Sequence, residues 1–151
     1  MTRRLPHLLL LLALLPRSTP AQSQFDSLRG TYRILLLFTP TTSDPRFTAQ
    51  QQLLENHASE ISERDLIIIP IVFNPRFPAE NQPNSISISP AEPIRLRSRY
   101  HIQPAVFTAI LLGKDGVVKL RSPTPVTMEK LTTLIDSMPM RQQEVRDRHP
   151  N

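Results

Sequence analysis

Few residues in this chain are arranged to do chemistry. Thr41, Thr42, Ser43, Asp44 and Arg46 crowd into one stretch directly after an apolar run at 33–38. Asn74 and Arg76 follow a second apolar run at 66–73, and Arg121 and Ser122 follow a third at 117–120. Hydroxyls beside guanidinium groups suit an anion, because each arginine offers paired donors to a carboxylate or phosphate. A helix beginning at Pro45 would add free backbone N–H groups and the positive end of its dipole. The candidate ligand-binding set is therefore Thr41, Ser43, Asp44, Arg46, Arg76 and Arg121. The same residues also have a purely structural reading. Ser43 or Asp44 can cap the helix, Arg46 can pair with Asp44, and Arg121 can tie the last strand to the tail.

Other chemistries find less support. The chain has no cysteine. Thiol–disulfide exchange, thiol peroxidase chemistry and cysteine-ligated metals are thus excluded. Ser43 as a nucleophile needs a base within hydrogen-bond reach. His57 lies several helical turns away, and nothing in the sequence brings His101 to Ser43. His57 and Glu60 have a spacing that can share a metal, but His101 and His149 add no ligand spacing, so no metal or other cofactor is expected. Lys114, Lys119 and Arg121 make a small basic group. With two tyrosines and no tryptophan there is no stacking platform, and nucleic acid is not an expected partner.

The elements that would position these residues can be read from periodicity. Residues 33–38 and 66–73 are continuous apolar runs, the pattern of strands buried on both faces. Pro70 places the second at a sheet edge or a bulge, since proline cannot donate to a ladder. Between them, residues 45–64 predict one helix with Phe47, Leu54, Ala58 and Ile61 on a stripe and Leu53 beside it. Strand, helix and strand in that order imply a parallel pair. Residues 74–93 hold five prolines, Pro75, Pro78, Pro83, Pro90 and Pro93, and read as a long surface loop. The alternating 85–89 within it suits a short edge strand. A short helix is expected at 94–100, then strands at 107–112 and 117–120 joined by the turn Gly113-Lys114-Asp115-Gly116. Thr127 caps a last helix whose stripe is Leu131, Leu134, Ile135 and Met138, and Pro139 is expected to stop it. Residues 141–151 read as a charged tail. In this order the first, second and fourth strands run the same way, and ligands in open α/β sheets bind where such strands end.

Several stretches also carry a family resemblance. They are Arg29-Gly30 ahead of the first apolar run, Asp44-Pro45-Arg46, Glu63-Arg64-Asp65-Leu66, and Leu96-Arg97 with Tyr100. Further on come Gly113-Lys114-Asp115-Gly116, Lys119-Leu120-Arg121-Ser122, and Ile135-Asp136 with Met138-Pro139-Met140-Arg141. On them the chain resembles a bacterial domain-of-unknown-function family of peroxiredoxin-like type, with a related domain in extracellular sushi-repeat proteins of animals. The resemblance implies a thioredoxin-like α/β fold, β-α-β-α-β-β-α, with a four-stranded mixed sheet and flanking helices. It implies export and no established activity. The chain departs from thioredoxins and peroxiredoxins in two places. Threonines and Ser43 occupy the loop where those enzymes carry cysteine, and Phe107-Thr108 stands where thioredoxins place a proline before the third strand.

The chain begins with the layout of a secretory signal: Arg3 and Arg4, a leucine-rich run at 8–15, and small residues around Ala21. The run is about half the roughly 20 residues a membrane span needs. The expected organisation is a signal peptide at 1–21, a domain at 22–141 and a charged tail at 142–151. Cleavage would remove Arg3, Arg4 and Arg17 and lower the formal charge from +5 to about +2, a weak pull on polyanions. A periplasmic or secreted location follows, with no stable membrane insertion after cleavage. The leading expectation is a binding module for another envelope or extracellular protein. The alternative is a small-anion-binding or non-thiol catalytic domain built on the candidate set.

Overall fold

The computed structural model describes residues 25–73 and 91–148. The signal-like segment, Asn74, Arg76, His149 and the alternating 85–89 lie outside the described residues.

The first apolar run forms strand β1, Arg33–Thr39, buried along its whole length. Helix α1, Pro45–Leu54, and helix α2, Ala58–Glu63, lead to strand β2, Leu66–Val72. Helix α3, Glu92–Arg99, precedes strands β3, Thr108–Leu112, and β4, Val118–Ser122. Helices α4, Met128–Asp136, and α5, Pro139–Arg148, follow. The sheet order is β2-β1-β3-β4, with β2 parallel to β1 and the other pairs antiparallel. Among the described residues Pro70 therefore sits on an edge strand, opposite Leu37 in the register. Edge placement spares it the ladder donor it lacks. A bulge at Leu111/Leu112 interrupts the pairing of β3 with β4.

Alternation along the strands divides the core into two layers. Leu35 and Leu37 of β1 pack with Phe47 and Leu54 of α1, and with Leu131 and Ile135 of α4. Ile34, Leu36 and Phe38 face the other way, toward Phe25, Leu96, Tyr100 and Ile102. The hairpin between β3 and β4 turns at Gly116, whose φ of 74° favours glycine. A Cβ there would also run into the Arg29 guanidinium.

Three local expectations change. The single helix over 45–64 is two helices, because Glu55 is extended and Asn56 takes φ 66°. Asparagine tolerates the left-handed region that stops a helix. On the expected stripe Phe47 and Leu54 are buried and Ile61 packs against the core, while Ala58 beyond the break is exposed. Pro139 does not merely end α4; it opens α5, a favoured place for proline because the first helical turn needs no N–H from it. Residues 141–148, read as a charged tail, are the body of that helix. The loop expected at 74–93 gives way to α3 at Glu92.

Candidate functional site

Because β1, β2 and β4 run the same way, their carboxyl ends meet at one edge of the sheet, beside the start of β3. Thr39 ends β1 there. Its hydroxyl donates to the Thr41 carbonyl at 2.7 Å, and the hydroxyls of Thr41 and Ser43 lie 3.2 Å apart. The Asp44 N–H donates to the Thr41 carbonyl at 3.3 Å, closing the loop into the helix. Asp44 is the N-cap of α1, extended in backbone, and its carboxylate accepts from the Arg46 N–H at 2.9 Å. Pro45 takes the first helical position.

Arg46 closes back on the same carboxylate. Its Nε donates to Asp44 Oδ1 at 3.1 Å and its Nη2 to Oδ2 at 2.8 Å, a two-pronged pair. The hydrogen bond from the Arg46 side chain holds the Asp44 carboxyl below its ordinary range. Burial opposes this, while the backbone N–H groups of Arg46 and Phe47 add to it. The Arg46 guanidinium is raised by the same bond and also lies 5.9 Å over the Phe107 ring. The amino end of α1 thus already carries an anion, supplied by its own cap.

The predicted set is partly assembled. Thr41, Ser43, Asp44 and Arg46 come together at the carboxyl edge. Arg121 does not join them: it pairs in register with Ile110, on the α3 side of the sheet, and its Nη2 donates to the Tyr100 carbonyl at 2.6 Å. It ties β4 to the end of α3 rather than to the tail. Arg76 lies outside the described residues. Ser43 has the Thr41 hydroxyl as its hydrogen-bonding neighbour, and a hydroxyl is no general base. His57 precedes α2 at the far end of α1, where its Nδ1 is 2.6 Å from Glu60 Oε1. His101 follows α3 in a left-handed conformation, φ 52°. Among the described residues no cluster of three histidine, aspartate or glutamate side chains could hold a metal.

Two residues that build this edge escape sequence reasoning. Arg97 of α3 is 6% exposed, and its Nη2 donates to the carbonyls of Thr39 at 2.7 Å and Ile71 at 3.0 Å. Its Nη1 donates to the Gln103 carbonyl at 3.1 Å. The guanidinium sits 5.6 Å from the Phe38 ring and 5.3 Å from that of Phe73, and burial lowers its pKa. It clamps the ends of β1 and β2 with no acidic partner among the described residues. Gln50 of α1 is fully buried; its amide donates to the Val126 carbonyl at 2.9 Å and accepts from the Val126 N–H at 2.7 Å. That pair fastens the segment after β4 to α1. Only Leu96-Arg97 among the resembling stretches touches on either residue, and no periodicity marks them.

Around the clamp the edge is partly apolar. Phe73, next after β2, is 51% exposed, and Val106, just before β3, is 38% exposed. In the sheet order they flank the end of β1, so strand spacing puts them about 10 Å apart.

Solved structures share this architecture. Thioredoxin peroxidase I of Plasmodium yoelii aligns with a TM-score of 0.56 at 17% identity, covering 83% of this chain and 80% of that one. The 2-Cys peroxiredoxin of Plasmodium vivax aligns at 0.55 and 12% identity, over 79% and 83% of the two chains. The exposed lipoprotein thioredoxin of Streptococcus pneumoniae gives 0.52 at 13%, over 74% and 89%. At such identities the likeness is one of fold: the domain is thioredoxin-like and lacks cysteine. The chain belongs to the family described as a domain of unknown function, DUF4174, whose model matches residues 24–144. It is also 43% identical over 51 residues to coiled-coil domain-containing protein 80 of Danio rerio. That stretch is 33% of this chain and 6% of the zebrafish protein.

Proposed function

We propose that this chain is a protein-binding module of the cell envelope or secreted space, engaging its partner through the carboxyl edge of the sheet. The observation that carries this reading is the state of that edge. The helix terminus is capped by Asp44, Arg46 is held by the same carboxylate, and Arg97 is spent on backbone carbonyls. Phe73 and Val106 remain open beside them. Such an edge offers apolar contact framed by hydroxyls, which suits a polypeptide more than a small anion. Cysteine-free chemistry removes the thiol roles this fold supports elsewhere. The signal-like composition of residues 1–21 supports an exported location, and no helix among the described residues is long and apolar enough to cross a membrane.

The test is affinity capture with residues 22–151 from the envelope or secreted fraction of the native cell, run beside the double variant Phe73→Asp, Val106→Asp. A protein retained by the parent and lost from the variant, with the variant still folded by circular dichroism, supports the reading. Equal retention by both sinks it. Calorimetry with phosphate, sulfate and small dicarboxylates runs in parallel. Heat at millimolar ligand that vanishes in Arg46→Ala would move the assignment to an anion site.

A further inference from the structure

The opposite edge of the sheet, where β1 and β2 begin, is occupied by α5. Most helices of this length dock through an apolar stripe. This one has none: its single buried residue is Arg141, while Met140 and Val145 stay 49% and 42% exposed. Its attachments are charged. Arg141, 2% exposed, donates to Glu63 Oε1 at 2.7 Å and to the Glu63 carbonyl at 3.0 Å, and its Nε lies 3.3 Å from Asp136 Oδ1. Glu144 Oε1 accepts from Arg33 of β1 at 3.0 Å and from Lys114 of the hairpin at 2.8 Å. Arg148 reaches the Glu63 carbonyl at 3.3 Å and lies 3.9 Å from Asp65 Oδ2.

We propose that α5 is a detachable ionic latch: a helix held on the amino-terminal edge by charge pairs in place of apolar burial, released by salt or acid while the sheet stays folded. The pieces needed for selective release are present. Glu63 and Asp136 are 55% and 43% exposed, open to screening ions, whereas the strands beneath are held by two apolar layers. The charged groups facing Glu144 are Arg33 from β1, Lys114 from the hairpin and Arg141 from its own helix at 3.8 Å. Asp65 shares Lys114 at 2.8 Å, and Arg64 pairs with Asp136 at 2.7 Å. Burial pushes the Glu144 carboxyl up, but the hydrogen bonds and charges of Arg33 and Lys114 outweigh it and leave the group below its ordinary value of 4.5. Asp136 behaves alike under Arg64 and Arg141, ending below 3.8. A depressed carboxyl stabilises docking above its unfolded pKa, and that contribution is lost as pH falls through the folded value. Acid that carries the pH down through these lowered values therefore loosens the latch. An open latch uncovers Arg33 and frees Glu63 from Arg141, while Lys114 keeps its pair with Asp65.

The experiment is amide hydrogen exchange on the full chain, comparing residues 142–148 with β1 and β3. Raising sodium chloride from about 0.05 M to about 1 M cuts the screening length to about 3 Å. The expected result is at least about a tenfold loss of protection in α5 with the strands unchanged. Glu144→Gln at low salt is expected to reproduce part of that loss, with the pairs of Arg141 to Glu63 and Asp136 still responding to salt. Because it also leaves Arg33 without a carboxylate, some global stability goes with it, and the salt series on the unaltered chain separates the two effects. Protection in α5 that ignores salt, or that falls only together with β1 and β3, overturns the proposal.

Discussion

Gln50 is the sharpest place to test how this fold is fastened. It is a polar side chain buried completely between α1 and the segment entering α4, with the Val126 N–H and C=O as its partners at 2.7 and 2.9 Å. Val126 itself is 2% exposed, so water cannot replace the lost bonds. Gln50→Leu keeps the volume and removes both bonds, stranding one backbone donor and one acceptor. Each costs about 1–3 kcal/mol when buried unpaired, and the leucine side chain regains part of that by apolar burial. The net expected loss is about 2–4 kcal/mol, a large share of the roughly 5–15 kcal/mol that holds a typical domain together. Gln50→Glu is the informative companion. The introduced carboxylate can accept from the Val126 N–H, but when ionised it meets the carbonyl with a lone pair; protonated, it donates as the amide does. Burial and that carbonyl both raise its folded pKa. The stabilising contribution is thus present below the unfolded value of about 4.3 and lost as pH rises through the folded one. Urea denaturation at pH 4 and pH 7 measures this. Gln50→Glu should recover stability relative to Gln50→Leu at the lower pH and fall behind the parent at the higher. A Gln50→Leu variant within about 0.5 kcal/mol of the parent, with an unchanged m-value, would refute the reasoning.

Asp44→Ala removes the N-cap of α1 and should cost about 1 kcal/mol by chemical denaturation, while Asp44→Asn, which can still cap, should cost less. Since Arg46 depresses the Asp44 carboxyl, its advantage over asparagine is present at neutral pH and lost as pH falls below about 3.8, so parent and Asp44→Asn should converge in acid. Gly116→Ala forces a side chain onto φ 74° and against Arg29 and should lower stability by about 1–2 kcal/mol. Combined with Arg29→Ala it should recover the steric part alone, which a double-mutant cycle in thermal melts would resolve. Arg97→Lys cannot reach the carbonyls of Thr39, Ile71 and Gln103 together, and a loss of at least about 2 kcal/mol is expected from urea titration.

Much of the scaffold was legible in the chain itself because its causes are local. A run such as Ile34-Leu35-Leu36-Leu37-Phe38 has the length of a strand covered on both faces, and it is buried throughout. Pro70 cannot donate a ladder bond, which suits an edge or a bulge, and among the described strands β2 lies on the edge. Asp44 before Pro45 starts a helix, and Gly116 turns a hairpin, for reasons carried by those residues alone. The absence of cysteine rules out thiol chemistry with no structure needed. The tertiary structure decided where the charges went. Arg33, Arg97 and Arg141 are among the most buried residues, yet in sequence they are arginines like those that stay in solvent. Burying a guanidinium is tolerable only where carbonyls or carboxylates from distant segments meet it. Arg97 depends on β1, β2 and the Gln103 segment converging, Arg33 on Glu144 from the far end of the chain, and Gln50 on Val126. The same convergence turned a composition that reads as tail into α5. It also sent Arg121 to the end of α3 instead of to Asp44. Periodicity reports which face of an element is apolar; it carries no information about which polar groups that face will meet.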